Sequence, residues 1–301
     1  MTTTRDQSSG GAEMDLSWKV GAARITSFSE SETPTSPRFL YRDLNKTGVL
    51  ERAAAAPWLR PHFVSKDGYL LQKIHCLIVE VDDLCIAVDT CIGNDKVRSN
   101  ELWHQLQGPF LADLARGGFS PESITHVVCT HLHVDHVGWN TRLVDGEWVP
   151  TFPNARYVFV TDEFEHWKSE PGLFEGEDVF GDSVAPIVDA GLADLVAVDH
   201  ELSDAVRLVP TIGHTPGHVS VEIRSEGERA IITGDMAHNP LQIADPELSS
   251  MFDTDPEQAR ATRREVFADW ADGETLVIGT HFGYPTAGTM HPDGDGFRLD
   301  V

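Results

Sequence analysis

Short apolar runs that end in turn residues or in histidine and aspartate form the main pattern of this 301-residue chain. Runs of this length, rich in β-branched and aromatic residues, predict β-strands. An Asp-Gly turn within 143–149 predicts a hairpin. Because several strands pair as hairpins and alternate with helical segments, the pattern predicts an α/β (α+β) fold with mixed sheets. The predicted strands are residues 18–28, 70–81, 84–92, 124–129, 155–160, 205–211, 219–223, 230–232 and 276–279.

Outside the predicted strands, the spacing of apolar residues and the proline content distinguish helical segments from irregular ones. Apolar residues at helical spacing predict helices over 102–116, 162–169 and 256–270, and 170–194 is expected to be partly helical. Residues 33–68 hold four prolines and large apolar side chains, which predicts an irregular arm that covers a pocket or a partner. Residues 1–15 have no apolar pattern and are predicted to be disordered, which leaves 16–301 as a single domain.

Charge and composition narrow the classes of partner. The formal net charge is -25, from 48 acidic and 23 basic residues, which argues against nucleic acid and anionic membranes as partners. Without a membrane-spanning run or a leader pattern, the expected location is cytoplasmic. The four cysteines form no C-x-x-C pair and are expected to be reduced, packed thiols. A small-molecule substrate is the expected partner, and the apolar arm suggests a homodimer.

The run from His131 to His136 carries the strongest chemical signal. It places His131, His133, Asp135 and His136 directly after the apolar run 124–129. A single histidine on an apolar face is usually a satisfied core residue, but four ligand-type side chains near a core are costly without a metal. Imidazole nitrogen and carboxylate oxygen suit zinc, iron or manganese. The sequence therefore predicts a metal site at the end of this strand.

Three further signals follow this run in a fixed order: Gly213-His214, Gly234-Asp235 and Thr280-His281. Together with the run they resemble the metal motifs of the metallo-β-lactamase superfamily. The resemblance implies an αββα sandwich of two mixed β-sheets flanked by helices. It also implies two divalent metal ions per chain. Zn²⁺ is the expected metal, and manganese, iron and cobalt are the alternatives. The implied ligands are His131, His133 and His214 for one ion, Asp135, His136 and His281 for the other, and Asp235 as the bridge.

With an aspartate at the bridging position, the chain resembles glyoxalase II, quorum-quenching lactonases and methyl-parathion-hydrolase-like enzymes, which also have an aspartate there. Lactonases commonly carry a tyrosine three residues later, where this chain has His238, as in the parathion-hydrolase-like branch. The resemblance implies a dinuclear hydrolase that attacks a lactone, aryl ester or phosphotriester with a metal-bridging hydroxide. Asp135 or His238 would then assist the leaving group.

Several alternatives stay open from the sequence. A persulfide-dioxygenase-like enzyme would hold a single iron, and a glyoxalase-II-like enzyme would cleave a thioester. The negative charge disfavours a nuclease, and the complete ligand set disfavours an inactive metal-binding protein. His218 is expected to fix a loop rather than to bind metal. Asp89 is either a turn residue or a support for a ligand histidine, and Trp139, Phe282 and Tyr284 are either core residues or pocket walls.

Overall fold

The computed structural model describes residues 16–170 and 176–301, so the predicted disordered segment 1–15 lies outside the described residues. Two compact units divide the chain. Of the described residues, the first unit comprises those up to Glu30 and those within Ile74–Ala197, and the second comprises Ser31–Lys73 and Val198–Val301. Each unit has its own large sheet. Among the described residues, no helix is both long and apolar enough to cross a bilayer.

A seven-stranded mixed sheet is the centre of the first unit, in the order β1-β2-β3-β4-β5-β8-β9. The β4, β5, β8 and β9 strands run parallel, while β1–β2 and β3–β4 are antiparallel pairs. The strands are β1 Ser17–Val20, β2 Ala23–Thr35, β3 Leu70–Val81, β4 Leu84–Val88, β5 His126–Val128, β8 Arg156–Val160 and β9 Ala193–Val196.

Parallel pairing brings two strand ends of the first unit to one edge of the sheet. Val88 of β4 is in register with Val128 of β5, and both strands end there. Because parallel strands present their carboxyl ends at the same edge, the residues that follow, from Asp89 and from Cys129, lie side by side. The backbone agrees, since the Asp89 N–H donates to the Val128 carbonyl at 3.0 Å.

The helices of the first unit correct one prediction. The segment 102–116 is helical only from Phe110. Gly108 is held by hydrogen bonds with the Asn94 side chain, and it precedes Pro109, which disfavours helical geometry at Gly108.

The hairpin predicted over 143–149 is present as the strands β6 and β7, with Asp145 and Gly146 in left-handed conformations in the turn. The remaining elements are β6 Thr141–Val144, β7 Glu147–Pro150, α3 Phe110–Arg116, α4 Thr161–Ser169, α5 Val179–Ser183 and α6 Ala185–Asp189.

A six-stranded mixed sheet forms the second unit, in the order β10-β11-β12-β13-β14-β15. Only β12 and β13 are parallel; the other neighbours are antiparallel. The predicted mixed α/β class is confirmed, with two large mixed sheets flanked by helices. The elements are β10 Val206–Pro210, β11 Val219–Ser225, β12 Glu228–Ile232, β13 Leu276–Ile278, β14 Ala287–Asp293, β15 Gly296–Asp300, α1 Pro37–Leu40, α2 Lys46–Ala55, α7 Leu241–Ala244 and α8 Pro256–Trp270.

The segment 33–68 is more regular than predicted. It contains α1 and α2, and α2 begins where the Asn45 side chain accepts a hydrogen bond from the Gly48 N–H at 2.9 Å. Tyr41 and Phe63 are buried and belong to the same apolar cluster as Trp270 of α8. This segment is therefore part of the core of the second unit, and its burial accounts for the large apolar residues in its sequence.

Candidate metal centre

The predicted ligands of the first unit follow β5 and lie close together. The His131 ring centroid is 4.4 Å from that of His133 and 4.0 Å from that of His136. The Asp135 Oδ1 lies 3.6 Å from the His136 Nε2. The three histidines are almost fully buried, and Asp135 is half-buried. These four side chains thus form one compact group of donors, named here the first ligand group.

Asp89, at the end of β4, sets the orientation of this group. Its Oδ1 accepts from the Thr130 N–H at 2.8 Å, and its Oδ2 lies 2.9 Å from the His136 Nδ1. A carboxylate can only accept here, so the proton of the His136 ring is on Nδ1 and the lone pair of Nε2 is available to a metal. Of the two roles considered for Asp89, the contacts match support of a ligand histidine.

Glu163 supports the same loop from α4, although no motif in the sequence identifies it. Its Oε1 accepts from the Leu132 N–H at 3.1 Å and from the Trp167 Nε1–H at 2.7 Å. Leu132 lies between two predicted ligands, so this carboxylate fixes the backbone of the ligand loop. In the sequence, Glu163 stands among exposed acidic residues near the start of a helix, where a solvated side chain is the ordinary expectation.

Glu30 is a second acidic residue that only the structure identifies. It accepts hydrogen bonds from the Ile92 N–H at 2.8 Å, the Gly93 N–H at 3.1 Å and the Trp139 Nε1–H at 2.7 Å. Burial raises the pKa of this carboxyl, while the hydrogen bonds from Ile92, Trp139 and Gly93 oppose that rise. Glu30 therefore ties the loop after β4 to the segment that follows His136.

In the second unit, the predicted ligands converge on Asp235. The Asp235 Oδ2 is 3.6 Å from the His214 Nε2, and the Asp235 Oδ1 is 3.0 Å from the His281 Nε2. Donors bound at 2.0–2.1 Å to one tetrahedral zinc ion lie about 3.4 Å apart. The two oxygens of Asp235 face different histidines, which is the arrangement that a bridging carboxylate needs. These three residues are named the second ligand group.

Each histidine of the second ligand group is oriented by an acceptor behind its ring. The His214 Nδ1 lies 3.0 Å from the Asp253 Oδ1, and the His281 Nδ1 lies 2.9 Å from the Lys73 carbonyl oxygen. A carbonyl can only accept, so the His281 Nδ1 carries the proton and its Nε2 faces Asp235 as a lone pair. Asp253 has no motif around it in the sequence, so its contact with His214 could be found only in the fold.

His218 takes the supporting place that the sequence predicted. Its Nε2 accepts from the Asp235 backbone N–H at 2.8 Å, and its Nδ1 lies 3.1 Å from the Thr211 carbonyl oxygen. The ring is therefore neutral, with its proton on Nδ1. His218 therefore fixes the backbone of Asp235, and both of its ring nitrogens are used in these two contacts.

His238 lies directly against Asp235. Its Nε2 is 3.2 Å from the Asp235 Oδ2, and its ring is parallel to that of His281 at a centroid distance of 6.0 Å. Only 3% of His238 is exposed, and within the described residues its Nδ1 has no hydrogen-bond partner. Of the other residues considered for a pocket wall, Trp139 and Phe282 are buried core residues, and Tyr284 is 41% exposed.

The donor chemistry of both groups suits a divalent metal. Ligand atoms of His131 and His133 lie within 4.8 Å of one another, and the same holds for His214 and Asp235. Imidazole and carboxylate donors suit zinc, iron, manganese or cobalt. The four cysteines are free, as predicted. Burial raises the pKa values of the Cys76 and Cys91 thiols, which keeps them protonated and unsuited to bind metal.

Comparison with known proteins gives a consistent family signal. The family model of the metallo-beta-lactamase superfamily matches residues 71–281, which include every predicted ligand. An N-acyl homoserine lactonase of Bacillus thuringiensis is 24% identical over 204 residues, 60% of this chain and 74% of the relative. One from Bacillus cereus is 24% identical over 221 residues, 69% of this chain and 79% of the relative.

Two solved structures resemble the whole chain. Hydrolase AbOPH of the beta lactamase superfamily matches with a TM-score of 0.77 at 22% identity, covering 97% of this chain and 99% of that one. AidC, a dizinc quorum-quenching lactonase solved with the product N-hexanoyl-L-homoserine, matches with a TM-score of 0.75 at 19% identity. The AidC match covers 95% of this chain and 97% of AidC. At these sequence identities the structural similarity shows the fold alone.

Proposed function

The chain belongs to the metallo-β-lactamase superfamily, and we propose that it is a dinuclear metal-dependent hydrolase of small ester-type substrates. The observation that carries the proposal is the orientation of the ligand histidines. In His136, His214 and His281, an acceptor holds Nδ1, so that Nε2 faces a neighbouring carboxylate. A hydrogen bond from the other ring nitrogen to an acceptor is the usual feature that orients a metal-binding histidine in proteins.

The family pattern divides the seven ligands between two ions. His131, His133 and His214 would hold one ion, Asp135, His136 and His281 the other, and Asp235 both. When bound, such ions supply a hydroxide nucleophile near neutral pH and a Lewis acid for the substrate oxygen. Asp235, with one oxygen toward His214 and the other toward His281, would reduce the repulsion between two bound cations.

His238 and Asp135 are the proposed proton carriers. His238 lies beside the bridging carboxylate, and its Nδ1 is not used by any hydrogen bond within the described part of the chain. A histidine in that place can donate a proton to the departing alkoxide. Asp135, half-buried next to His136, is the second candidate for this role.

The relatives support an ester-type substrate. The Bacillus relatives are N-acyl homoserine lactonases, and AidC is described as a quorum-quenching lactonase in complex with a product, N-hexanoyl-L-homoserine. A carboxylic ester or lactone needs a nucleophile, an electrophile for the carbonyl oxygen and a proton donor for the leaving oxygen. The ligand groups and His238 offer one candidate for each of these tasks.

The test is an activity panel on protein of measured metal content. N-acyl homoserine lactones, aryl esters, phosphotriesters and thioesters would be compared for wild type, Asp235→Asn and His238→Gln. We expect two metal ions per chain, turnover of at least one ester-type substrate, loss of turnover in Asp235→Asn, and a lowered kcat in His238→Gln with metal retained.

Three outcomes would contradict the proposal. Fully loaded protein that hydrolyses no lactone, aryl ester or phosphotriester is not the proposed enzyme. One iron per chain, with oxygen consumed on addition of a persulfide, would indicate the mononuclear dioxygenase reaction instead. Turnover of thioesters alone would indicate a thioesterase.

A further inference from the structure

A cavity of about 350 Å³ lies in the second unit, and it contains none of the seven proposed ligands. Its lining includes the carbon-rich side chains of Pro34, His62, Leu71 and Tyr284 and the polar side chains of Glu32 and Gln72. A volume of this size is within the range of pockets that take small organic molecules.

The side chain of Gln72 and the backbone of Lys73 hold two residues of the proposed site. The Gln72 Nε2 donates to the His238 carbonyl oxygen at 3.2 Å, and the adjacent Lys73 carbonyl accepts from the His281 Nδ1 at 2.9 Å. Neighbouring Cα atoms are only 3.8 Å apart. A group bound against Leu71 and Gln72 would therefore contact the side chain that supports His238 and lie one residue from the backbone that supports His281.

A close backbone contact at Gly283 lies beside the two rings that line the cavity, those of His62 and Tyr284. Gly283 donates its N–H to the Leu71 carbonyl at 3.1 Å, and a Cβ there would lie 2.8 Å from that oxygen and 3.1 Å from the His62 carbonyl oxygen. Only glycine permits this approach. The Tyr284 ring then lies 6.5 Å from the His62 ring at 48°, and both can pack against an apolar ligand.

The exposed charge of the wall is negative. The Glu32 side chain is 41% exposed, while the ammonium of Lys73, 3.4 Å away, belongs to a side chain that is only 5% exposed. A ligand entering the cavity thus meets the carboxylate before the ammonium. An anionic group would be repelled here, and the net charge of the chain, -25, acts in the same direction.

We propose that this cavity is the subsite for an uncharged, apolar acyl or aryl substituent of the ester substrate, and that Glu32 rejects substituents that carry a carboxylate. The proposal rests on the proposed function, because it assumes that the reacting bond lies at the second ligand group. It favours lactones and neutral aryl esters over thioesters whose carrier bears free carboxylates.

Binding can be measured without turnover. The chain has four tyrosines, so protein labelled with 3-fluorotyrosine gives a simple fluorine NMR spectrum, in which Tyr284→Phe identifies the Tyr284 signal. We expect hexanamide to shift this signal, and adipamic acid, of equal length but with a terminal carboxylate, to bind at least about tenfold more weakly. Glu32→Gln should reduce that difference. An unmoved Tyr284 signal, or equal affinity for the two amides, would overturn the proposal.

Kinetics gives an independent measurement. For aryl esters of one phenol, Tyr284→Ala should lower the ratio of kcat/KM for hexanoate to that for acetate by about tenfold, the effect of losing one buried ring contact. Tyr69→Ala removes a partly buried ring of the same unit that does not line the cavity, and it should leave the ratio as in wild type.

The two proposals fail in different ways. An unchanged ratio in Tyr284→Ala contradicts the subsite and leaves ester hydrolysis intact. Hexanamide binding at Tyr284 with no ester hydrolysed supports the ligand class of the cavity and contradicts the proposed function.

Discussion

At the residue scale, the acceptors behind the rings decide how the histidines can be used. Asp89 is the clearest case, since it holds both the Thr130 N–H and the His136 Nδ1. Asp89→Asn keeps the size of the side chain, and asparagine tolerates the left-handed φ of 53°. Because such a substitution weakens the support of a ligand, we expect metal affinity to fall by about 10–100-fold.

Metal content after dialysis against a graded chelator series measures this effect. Asp82→Asn is the matched control, because Asp82 also has a left-handed φ, of 50°, but lies in an exposed turn. Equal metal retention in Asp89→Asn and Asp82→Asn would show that Asp89 serves only the local backbone.

Lys96 gives a pH-dependent prediction. Its Nζ is buried in the first unit, bonds to the Thr141 Oγ1 at 2.6 Å and to the Asp182 carbonyl at 2.8 Å, and faces the Trp148 ring. Burial lowers the pKa of Lys96 to about 7, although Asp182 opposes the shift. Below that pH the buried charge destabilises the fold at full strength. Above it this cost falls as the pH rises, and it is gone only above the unfolded pKa of about 10.4, where neither state is charged.

Between about pH 7 and pH 10 the unfolded chain binds more protons at Lys96 than the folded chain. The free energy of unfolding of wild type relative to Lys96→Met should therefore rise with pH, by at most about 1.4 kcal/mol per pH unit. Urea unfolding at pH 7, 8 and 9 measures this slope, with the exposed Lys66→Met as control. A difference that does not vary with pH would contradict the prediction.

At the element scale, α8 is connected to the second ligand group through its first residues. The Asp255 Oδ1 accepts from the N–H groups of Glu257 and Gln258 at 3.1 and 3.0 Å. The Thr254 and Asp255 N–H groups donate to the carbonyls of His214 and Gly213. The cap that begins the helix therefore also holds the loop that carries a predicted ligand.

Removal of this cap should lower stability by a measurable amount. We expect Asp255→Ala to reduce the free energy of unfolding by about 0.5–2 kcal/mol, and Asp255→Asn, which keeps an acceptor oxygen, to reduce it much less. Urea unfolding of the three proteins distinguishes these cases. An Asn variant as unstable as the Ala variant would show that the charge of Asp255 matters and its hydrogen bonds do not.

The elements also show where prediction from the sequence ends. The pattern gave α8 with its observed bounds, because a capping aspartate, a proline and helical spacing are all local signals. The loop after β4 is different. Its left-handed residues include Asp89, Cys91 and Gly93, and the carboxylate that holds its backbone, Glu30, is 62 residues away from Ile92. A contact between residues so far apart in the chain leaves no signal in the local sequence pattern. The metal ligands could therefore be predicted from the sequence, whereas the residues that support them, Glu30, Glu163 and Asp253, could not.

At the scale of the whole molecule, the surplus of acidic residues should make stability depend on salt. A net charge of -25 produces self-repulsion that the unfolded chain relieves by expanding. Screening shortens the range of this repulsion from about 30 Å at 0.01 M salt to about 10 Å at 0.1 M and about 3 Å at 1 M. We therefore expect the melting temperature to rise steeply with NaCl at low concentration and to level off once the range falls below the spacing of surface charges.

The shape of this curve separates screening from other effects of salt. Exclusion of salt from the protein surface strengthens apolar burial in proportion to concentration, so it would give a straight line without a plateau. Thermal unfolding from 0.01 to 1 M in NaCl and in KCl should give matching curves if screening dominates, because both salts have the same ionic strength. A melting temperature that is constant across the series would mean that the self-repulsion of the folded chain does not exceed that of the unfolded chain, and it would contradict the prediction.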